Sequence, residues 1–394
     1  MIVIRGGDLV LPTRVVSGGV LVIDGDRIMA VEAQLADPPG SVTVDATGCV
    51  VVPGFVDVHV HGLLGDDTLD AGDAVARIAE SLPRHGVTAF CPTTVACAPA
   101  DLRRVLQQVR QARTSPVVGH ARVLPAHLES NFLNPGYCGA QPATCLRNPR
   151  SVEAEGVYSG QDVLSAIADH RPDVGIVTLA PELPGGLDLV RTLVAAGHRV
   201  SLGHSGADFE TAVAAIEAGA RHATHLFNQM PSLAHRAPGL AGAVLARDEV
   251  LTELICDGYH VHPAVCRIAM AAKGASGIMA ISDATAGAGL SEGSSAMLGG
   301  RAIRVGREAA FLEDGTLAGS TTTMDRAFAN IVTHFGGSLV DAATMCSTTP
   351  ARALGLIGFG VLAPGAAADV TVLDQGFRVA HTLIGGRHVY RRDQ

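Results

Sequence analysis

"VPGFVDVHVHG", Val52 to Gly62, is where an apolar, β-branched run meets a Pro-Gly turn and then carries two histidines one residue apart. Alternation along a strand sends Asp57, His59 and His61 to one side and Val58 and Val60 to the other. Three polar groups at the end of a buried strand are costly unless something binds them. Imidazoles beside a carboxylate suit a metal ion as that partner.

Seven further apolar runs follow it: "VTAFCPTT", "RVLPAHLES", "GIVTLAPE", "RVSLGHS", "ATHLFN", "LTELICDGYH" and "GIMAISDAT". Helical patterns lie between them, as in "ADFETAVAAIEAGA", where Phe209, Val213, Ile216 and Ala220 recur at helical spacing. Alternation of this kind over residues 53–358 predicts a (β/α)8 TIM-like barrel, whose chemistry sits at the C-terminal ends of its strands. Residues 1–52 read instead as short strands and turns, with Asp24-Gly25 as a hairpin signal. The C-terminal 359–394 repeats that texture in "GVLAPGAAADVTVLD" and "VAHTLIGGRHVY". The two ends are expected to form one small β-sandwich domain beside the catalytic barrel.

Nearly every run ends in a group that binds metal or moves protons. These groups are His59 and His61, then Glu129, His204, His225, His260 and Asp283. Taken singly, a histidine such as His85, His170 or His334 reads as a surface or helix-end residue. The joint pattern places residues far apart in sequence on one rim. Imidazole and carboxylate ligands suit zinc, iron or another first-row divalent ion, one or two per subunit. Such an ion lowers the pKa of a water, whose proton Asp283 is placed to take and later hand to a leaving group. Some barrel hydrolases bridge two metals with a carboxylated lysine at strand four. Here that strand ends "TLAPE" and the single lysine, Lys273, lies before strand eight. Glu129 is the available bridge between a His59/His61 side and a His204/His225 side.

Composition narrows the class. The chain has 394 residues, of which 47% are hydrophobic and 17% charged, which fits a packed enzyme rather than a disordered chain. A net charge of −9 without a basic run argues against nucleic acid as the main partner. No stretch approaches the ~18 apolar residues of a membrane span, and "MIVIRGGDLV" lacks the pattern of an export signal. Eight scattered cysteines, with Cys91, Cys97, Cys256, Cys266 and Cys346 among apolar neighbours, read as reduced thiols. A cytoplasmic enzyme is the expectation.

These motifs resemble the amidohydrolase superfamily, and within it the N-acetylglucosamine-6-phosphate deacetylase family. The resemblance spans nearly the whole chain and rests on "PGFVDVHVHG", "HLES" followed by "CGAQ", "GHSGAD", "ATHLFNQMPSLAHRAPGLAG", "CDGYHVHP", "SDAT", "GSTTTMD", "TTPARALGL" and the closing "GVLAPGAAADVTVLD". It implies that Glu129, His204 and His225 are the principal metal ligands, that His59 and His61 hold a second ion, and that Asp283 is the catalytic acid/base. It further implies that Asn228 and the backbone at Gln229 contact the sugar. Arg236 and His260 are implied to bind phosphate, reaching across the interface of a homodimer with shared active sites. Guanidinium suits phosphate through paired N–H donors.

Two departures stand out. The family's glutamate is usually followed by Gly-Pro, where this chain has Ser130 and Asn131, and a histidine commonly stands where Gln141 is. Gln141 can donate a hydrogen bond to an acetyl carbonyl but carries no charge. The implied reaction is metal-dependent hydrolysis of N-acetylglucosamine 6-phosphate to glucosamine 6-phosphate and acetate, in amino-sugar catabolism. The alternatives are a related N-acetyl sugar such as N-acetylgalactosamine 6-phosphate, a non-phosphorylated acetyl sugar, or an N-acyl amino acid. A non-catalytic, regulatory relative on the same barrel would have lost ligands or the proton shuttle, and here all are present.

Overall fold

Each of the eight apolar runs supplies a barrel strand: Phe55–Val60, Val87–Thr94, Ala126–Glu129, Val174–Leu179, Arg199–Leu202, His222–Ala223, Leu251–Ile255 and Ile278–Ile281. The computed structural model describes residues 1–36, 38–153 and 156–392. The strands pair in parallel and in chain order. A parallel bridge between Val60 and Ala284 brings the last strand back to the first, so the ring is nearly closed. Most of these strands are buried along their whole length, as parallel strands covered on both faces are. The third run is split: Arg122–Val123 pairs with the second barrel strand before Pro125 intervenes, because proline cannot donate to the ladder.

The helices pack on the outside through narrow apolar stripes. In Phe209–Glu217 the fully buried residues are Ala212, Ala215 and Ile216, while Phe209 and Val213 are partly buried against the same core. His85, His170 and His334 all fall at helix ends, as expected of unremarkable histidines. All eight cysteines are free thiols, and the five with apolar neighbours are buried.

The two ends of the chain meet in a single eight-stranded sheet. Val50–Pro53, which leads into the barrel, is flanked by Ile2–Val10 on one side and Val370–Leu373 on the other. The sheet has its own core, with Ile4, Leu9, Leu21, Ile23, Ile28, Val370, Val372 and Leu383 at 1% exposure or less. Each such side chain contributes about 1.5–3 kcal/mol on burial. The predicted hairpin forms, with Asp24 paired to Arg27 and Gly25 at φ 57° in the turn. Arg122 clamps the barrel to this sheet through two hydrogen bonds to Asp369, at 3.0 and 3.1 Å.

One element has no counterpart in the sequence reading. After the eighth barrel strand the chain builds a four-stranded antiparallel sheet, Ser295–Leu298, Arg301–Val305, Ala309–Leu312 and Leu317–Ser320. Its last strand returns to the barrel mouth, where Ser320 N donates to Asp283 O at 2.8 Å. Gly319, at φ 59°, permits this return, since a Cβ there would lie 2.6 Å from Thr285 Cγ2.

His222, on the sixth barrel strand, is 2% exposed and its Nδ1 has no partner among the described residues. Burial, helped by the charges of Arg199 and His127, pushes its pKa down to about 3. The unfolded chain therefore takes up this proton first, near pH 6.5. The stability held above that pH is lost as the pH falls towards 3. Unfolding free energies from urea titrations between pH 6 and pH 4 should fall less steeply in His222→Leu than in the wild type. The expected difference is about 1.4 kcal/mol per pH unit, one proton's worth.

Candidate active site

The barrel brings the strand-end residues together. Glu129 closes the third strand, His59 lies on the first, and His61, His204, His225 and Asp283 follow the ends of the first, fifth, sixth and eighth. His204, His225 and Asp283 take left-handed backbone angles, with φ of 48°, 29° and 50°. Such angles cost non-glycine residues about 1–3 kcal/mol each and persist where the surroundings over-determine them. Here the turns aim three side chains back over the barrel axis.

Glu129 is the common centre. Its Oε1 is 3.0 Å from His204 Nε2 and 2.9 Å from His225 Nε2, while its Oε2 is 3.4 Å from His61 Nε2. Asp283 Oδ1 lies 3.3 Å from both His59 Nε2 and His61 Nε2. His59, His61 and Glu129 form one group whose ligand atoms lie within 4.8 Å of one another, and Glu129, His204 and His225 form another. Asp57, expected on the same side as His59 and His61, is turned instead to Ser282 Oγ and the His59 backbone N–H.

The donor set fits a divalent cation. His59 Nε2 faces His61 Nε2 at 3.1 Å, and His204 Nε2 faces His225 Nε2 at 3.1 Å. Two neutral imidazoles meeting lone pair to lone pair repel, and only a shared proton or cation makes the contact favourable. Burial lowers the pKa of His59 to about 4, so its Nε2 lone pair is free. Burial also opposes a charge on His61, but hydrogen bonds with Asp283 and Glu129 outweigh it and push its pKa up to about 10. Burial would raise the pKa of Glu129, yet the imidazoles, His204 first, hold it well below the carboxylate range. Burial would raise the pKa of Asp283 as well, but the surrounding imidazoles, His59 first, pull it down to about 2, so both carboxylates stay ionised.

A cavity of about 70 Å³ opens onto this centre. Its walls include Gln141, Asn228, Gln229 and His260 as well as Leu298, Leu317 and Gly319 of the inserted sheet. Gln141 accepts from Ala96 N at 2.7 Å and donates to Glu129 Oε2, which leaves one N–H for a ligand. His260 Nδ1 is held by Asp257 Oδ2 at 2.6 Å. Arg236 stands apart on an exposed loop, 232–237, outside the cavity wall. Ser130 and Asn131 do not line the cavity either. Ser130 donates to Thr178 O, and Asn131 to Cys97 O and Cys145 O, so both stitch the loop after strand three into place.

Sequence reasoning missed two acids. Glu182, in "TLAPE", accepts from Asn134 Nδ2 at 2.8 Å, Ser205 Oγ at 2.7 Å and Gly206 N at 2.6 Å. It ties the loop bearing His204 to the loop bearing Tyr137, whose carbonyl accepts from His204 Nδ1 at 2.8 Å. Glu253 lies beneath the site, with Oε2 2.9 Å from His59 Nδ1.

Residues 50–389 match the family described as the amidohydrolase family. The chain is 36% identical over 403 residues to N-acetylglucosamine-6-phosphate deacetylase of Bos taurus, covering 100% of this chain and 95% of that one. It is 35% identical to N-acetylgalactosamine-6-phosphate deacetylase of Escherichia coli O157:H7, covering 90% and 91%. Among solved structures, an aspartate-to-alanine variant of the Mycobacterium smegmatis N-acetyl-D-glucosamine-6-phosphate deacetylase, in complex with N-acetyl-D-glucosamine-6-phosphate, superposes with a TM-score of 0.88. That match is 33% identical and covers 98% of this chain and 99% of the other.

The role of Glu182 is open to a direct check. Hydrogen bonds to a charged acceptor contribute about 1.5–3 kcal/mol each. Glu182→Ala should therefore accelerate amide exchange in segments 134–137 and 204–207 by roughly tenfold or more, read by hydrogen-exchange mass spectrometry, with barrel-strand amides unchanged.

Proposed function

The chain belongs to the amidohydrolase family, and on that premise we propose that it hydrolyses N-acetylglucosamine 6-phosphate to glucosamine 6-phosphate and acetate. The observation that carries this reading is the pair of histidine groups sharing Glu129, with Asp283 beside them at the mouth of a small cavity. Full-length similarity to deacetylases of acetylated amino-sugar phosphates supports the substrate class.

Glu129, His204 and His225 would hold one divalent ion, zinc or iron, and His59 and His61, with Glu129 shared, would hold a second. When bound, such an ion supplies a Lewis acid that polarises the acetyl carbonyl and acidifies water. Asp283 accepts the proton that water loses as its oxygen adds to the carbonyl carbon. The same carboxyl group then delivers the proton to the amide nitrogen as the C–N bond breaks, which releases acetate and a free amine. Gln141 directs its spare N–H at the acetyl oxygen, and Asn228 and Gln229 orient the ring. His260, and Arg236 from the exposed loop, supply the phosphate contacts. Arg236 reaches a phosphate in a homodimer, where the loop projects into the partner's site. Eight free cysteines fit a reducing, cytoplasmic setting, and among the described residues no helix is long and apolar enough to cross a membrane.

Acetate release from N-acetylglucosamine 6-phosphate should be abolished by dialysis against a chelator and restored by zinc or iron(II). In the metal-loaded protein, Asp283→Asn should lower kcat by about 10²–10⁴ without a matching rise in KM. Arg236→Ala should raise KM for the phosphorylated sugar at least tenfold and leave turnover of the unphosphorylated acetyl sugar unchanged. Failure of the folded, metal-loaded enzyme to release acetate from this substrate, while it cleaves N-acetylgalactosamine 6-phosphate or an N-acyl amino acid, would move the assignment to that substrate.

A further inference from the structure

His59, His127 and Glu253 form a third group with ligand atoms within 4.8 Å of one another, buried in the barrel below the site. It is not a further metal site, because His127 is fully committed. Its Nδ1–H donates to Val58 O at 3.0 Å and its Nε2 accepts from Thr178 Oγ1 at 2.7 Å. Thr178 Oγ1 in turn meets Thr224 Oγ1 at 2.7 Å, and Thr224 Oγ1 meets Ser201 Oγ at 2.6 Å. The chain of donors from Ser201 to Val58 O leaves no lone pair on His127 to offer a cation.

Glu253 is different. It is 0% exposed and, among the described residues, its ion-pair contacts are to histidines alone and its Oε1 has no hydrogen-bond partner. A buried carboxylate with so little compensation is costly to keep. Its Oε2 accepts from His59 Nδ1 at 2.9 Å and from the His225 backbone N–H at 3.3 Å. The first contact fixes the Nδ1–H tautomer of His59, which leaves the Nε2 lone pair pointing at His61 Nε2 and Asp283.

Each half of the site has one histidine tethered in this way. His204 is held by Tyr137 O and His59 by Glu253 Oε2, whereas Nδ1 of His61 and of His225 has no partner among the described residues. A ligand histidine characteristically donates its second N–H to a carboxylate or carbonyl, which sets ring orientation and raises basicity. We propose that Glu253 is the positioning residue for the second ion position, acting through the Nδ1–H of His59 to present its Nε2 beside His61. This rests on the two-ion reading of the site given above.

The test is zinc binding by the folded protein, in competition with a chromophoric chelator, for wild type, Glu253→Ala and Glu253→Gln. Thermal melts establish that each variant is folded. Wild type should take up two zinc ions. Glu253→Ala should keep one tightly and bind the other about 10–100-fold more weakly. Glu253→Gln, whose amide oxygen can still accept the Nδ1–H, should return the second ion to within a few-fold of wild type. Unchanged zinc binding in Glu253→Ala would overturn the inference. Loss of both ions together, or a Gln variant as defective as the Ala variant, would overturn it as well. A wild-type protein that binds one ion leaves no second position to build and also removes the inference, while one that binds none removes the metal reading itself.

Discussion

A carboxylate shared by two pairs of imidazoles is the constraint on which the rest of the molecule depends. Glu129 is 2% exposed, yet it touches histidines contributed by the first, fifth and sixth barrel strands and their ends. A charge so buried is tolerable only while its partners stay within reach, and removing one partner of a buried pair costs about 3–5 kcal/mol. Those partners are 68 to 96 residues away in sequence, and only closure of the ring brings them within about 3 Å. The barrel and its centre therefore stand or fall together: the apolar strands enclose the charge, and the histidines at their ends justify its burial.

The backbone around the centre is correspondingly strained and correspondingly held. Of the non-glycine residues with positive φ among those described, His204, His225, Phe227, Gln229 and Asp283 belong to the site or the loop that walls it. Each turn is pinned by neighbouring amides. Asn134 N donates to His204 O, Asn228 N to His225 O, Ser205 N to Gln229 O, and Ser320 N to Asp283 O. Strain distributed in this way makes the strand ends rigid, which is what placing four imidazoles to within a few tenths of an ångström requires. The inserted sheet belongs to the same device, since its last strand returns to bind the backbone of Asp283.

The parts legible in the sequence were those with a short-range signature. Strand runs declare themselves by β-branched residues, and their ends by histidine or carboxylate at a repeated position, so His59, His61, Glu129, His204, His225 and Asp283 could be named together. Glu253 could not, because a lone glutamate in "LTELI" has the pattern of an outward-facing charge, and its partner His59 lies 194 residues away. Glu182 was noticed only as the absence of a lysine, and its three donors come from other loops. The inserted sheet escaped because "GSSAMLGGRAIRVGREAAFLEDGTLAGS" is broken by the Gly299-Gly300 pair and by single glycines into strands of four or five residues, too short for alternation to be decisive. Arg236 was marked by its motif, but a motif carries no distance, and its loop projects from the rest of the pocket.

The cavity decides where sugar selectivity resides. Its inner end lies beside Glu129 and Asp283, and its opening is walled by Asn228, Gln229, His260 and the inserted sheet. On the proposed reading, the acetamido group, common to every N-acetyl amino sugar, is the part that must meet Glu129 and Asp283. Glucose- and galactose-type rings differ at one carbon remote from that group, so the centre meets both in the same form. Discrimination between them then falls to the rim, where Asn228, Gln229, His260 and the inserted sheet surround the opening. A buried, mutually charged centre cannot change one member without penalty, whereas loops can. The departures at Ser130 and Asn131 bear this out in their placement: both are spent on backbone carbonyls behind the site, so they alter how the loop is tied rather than what the sugar touches.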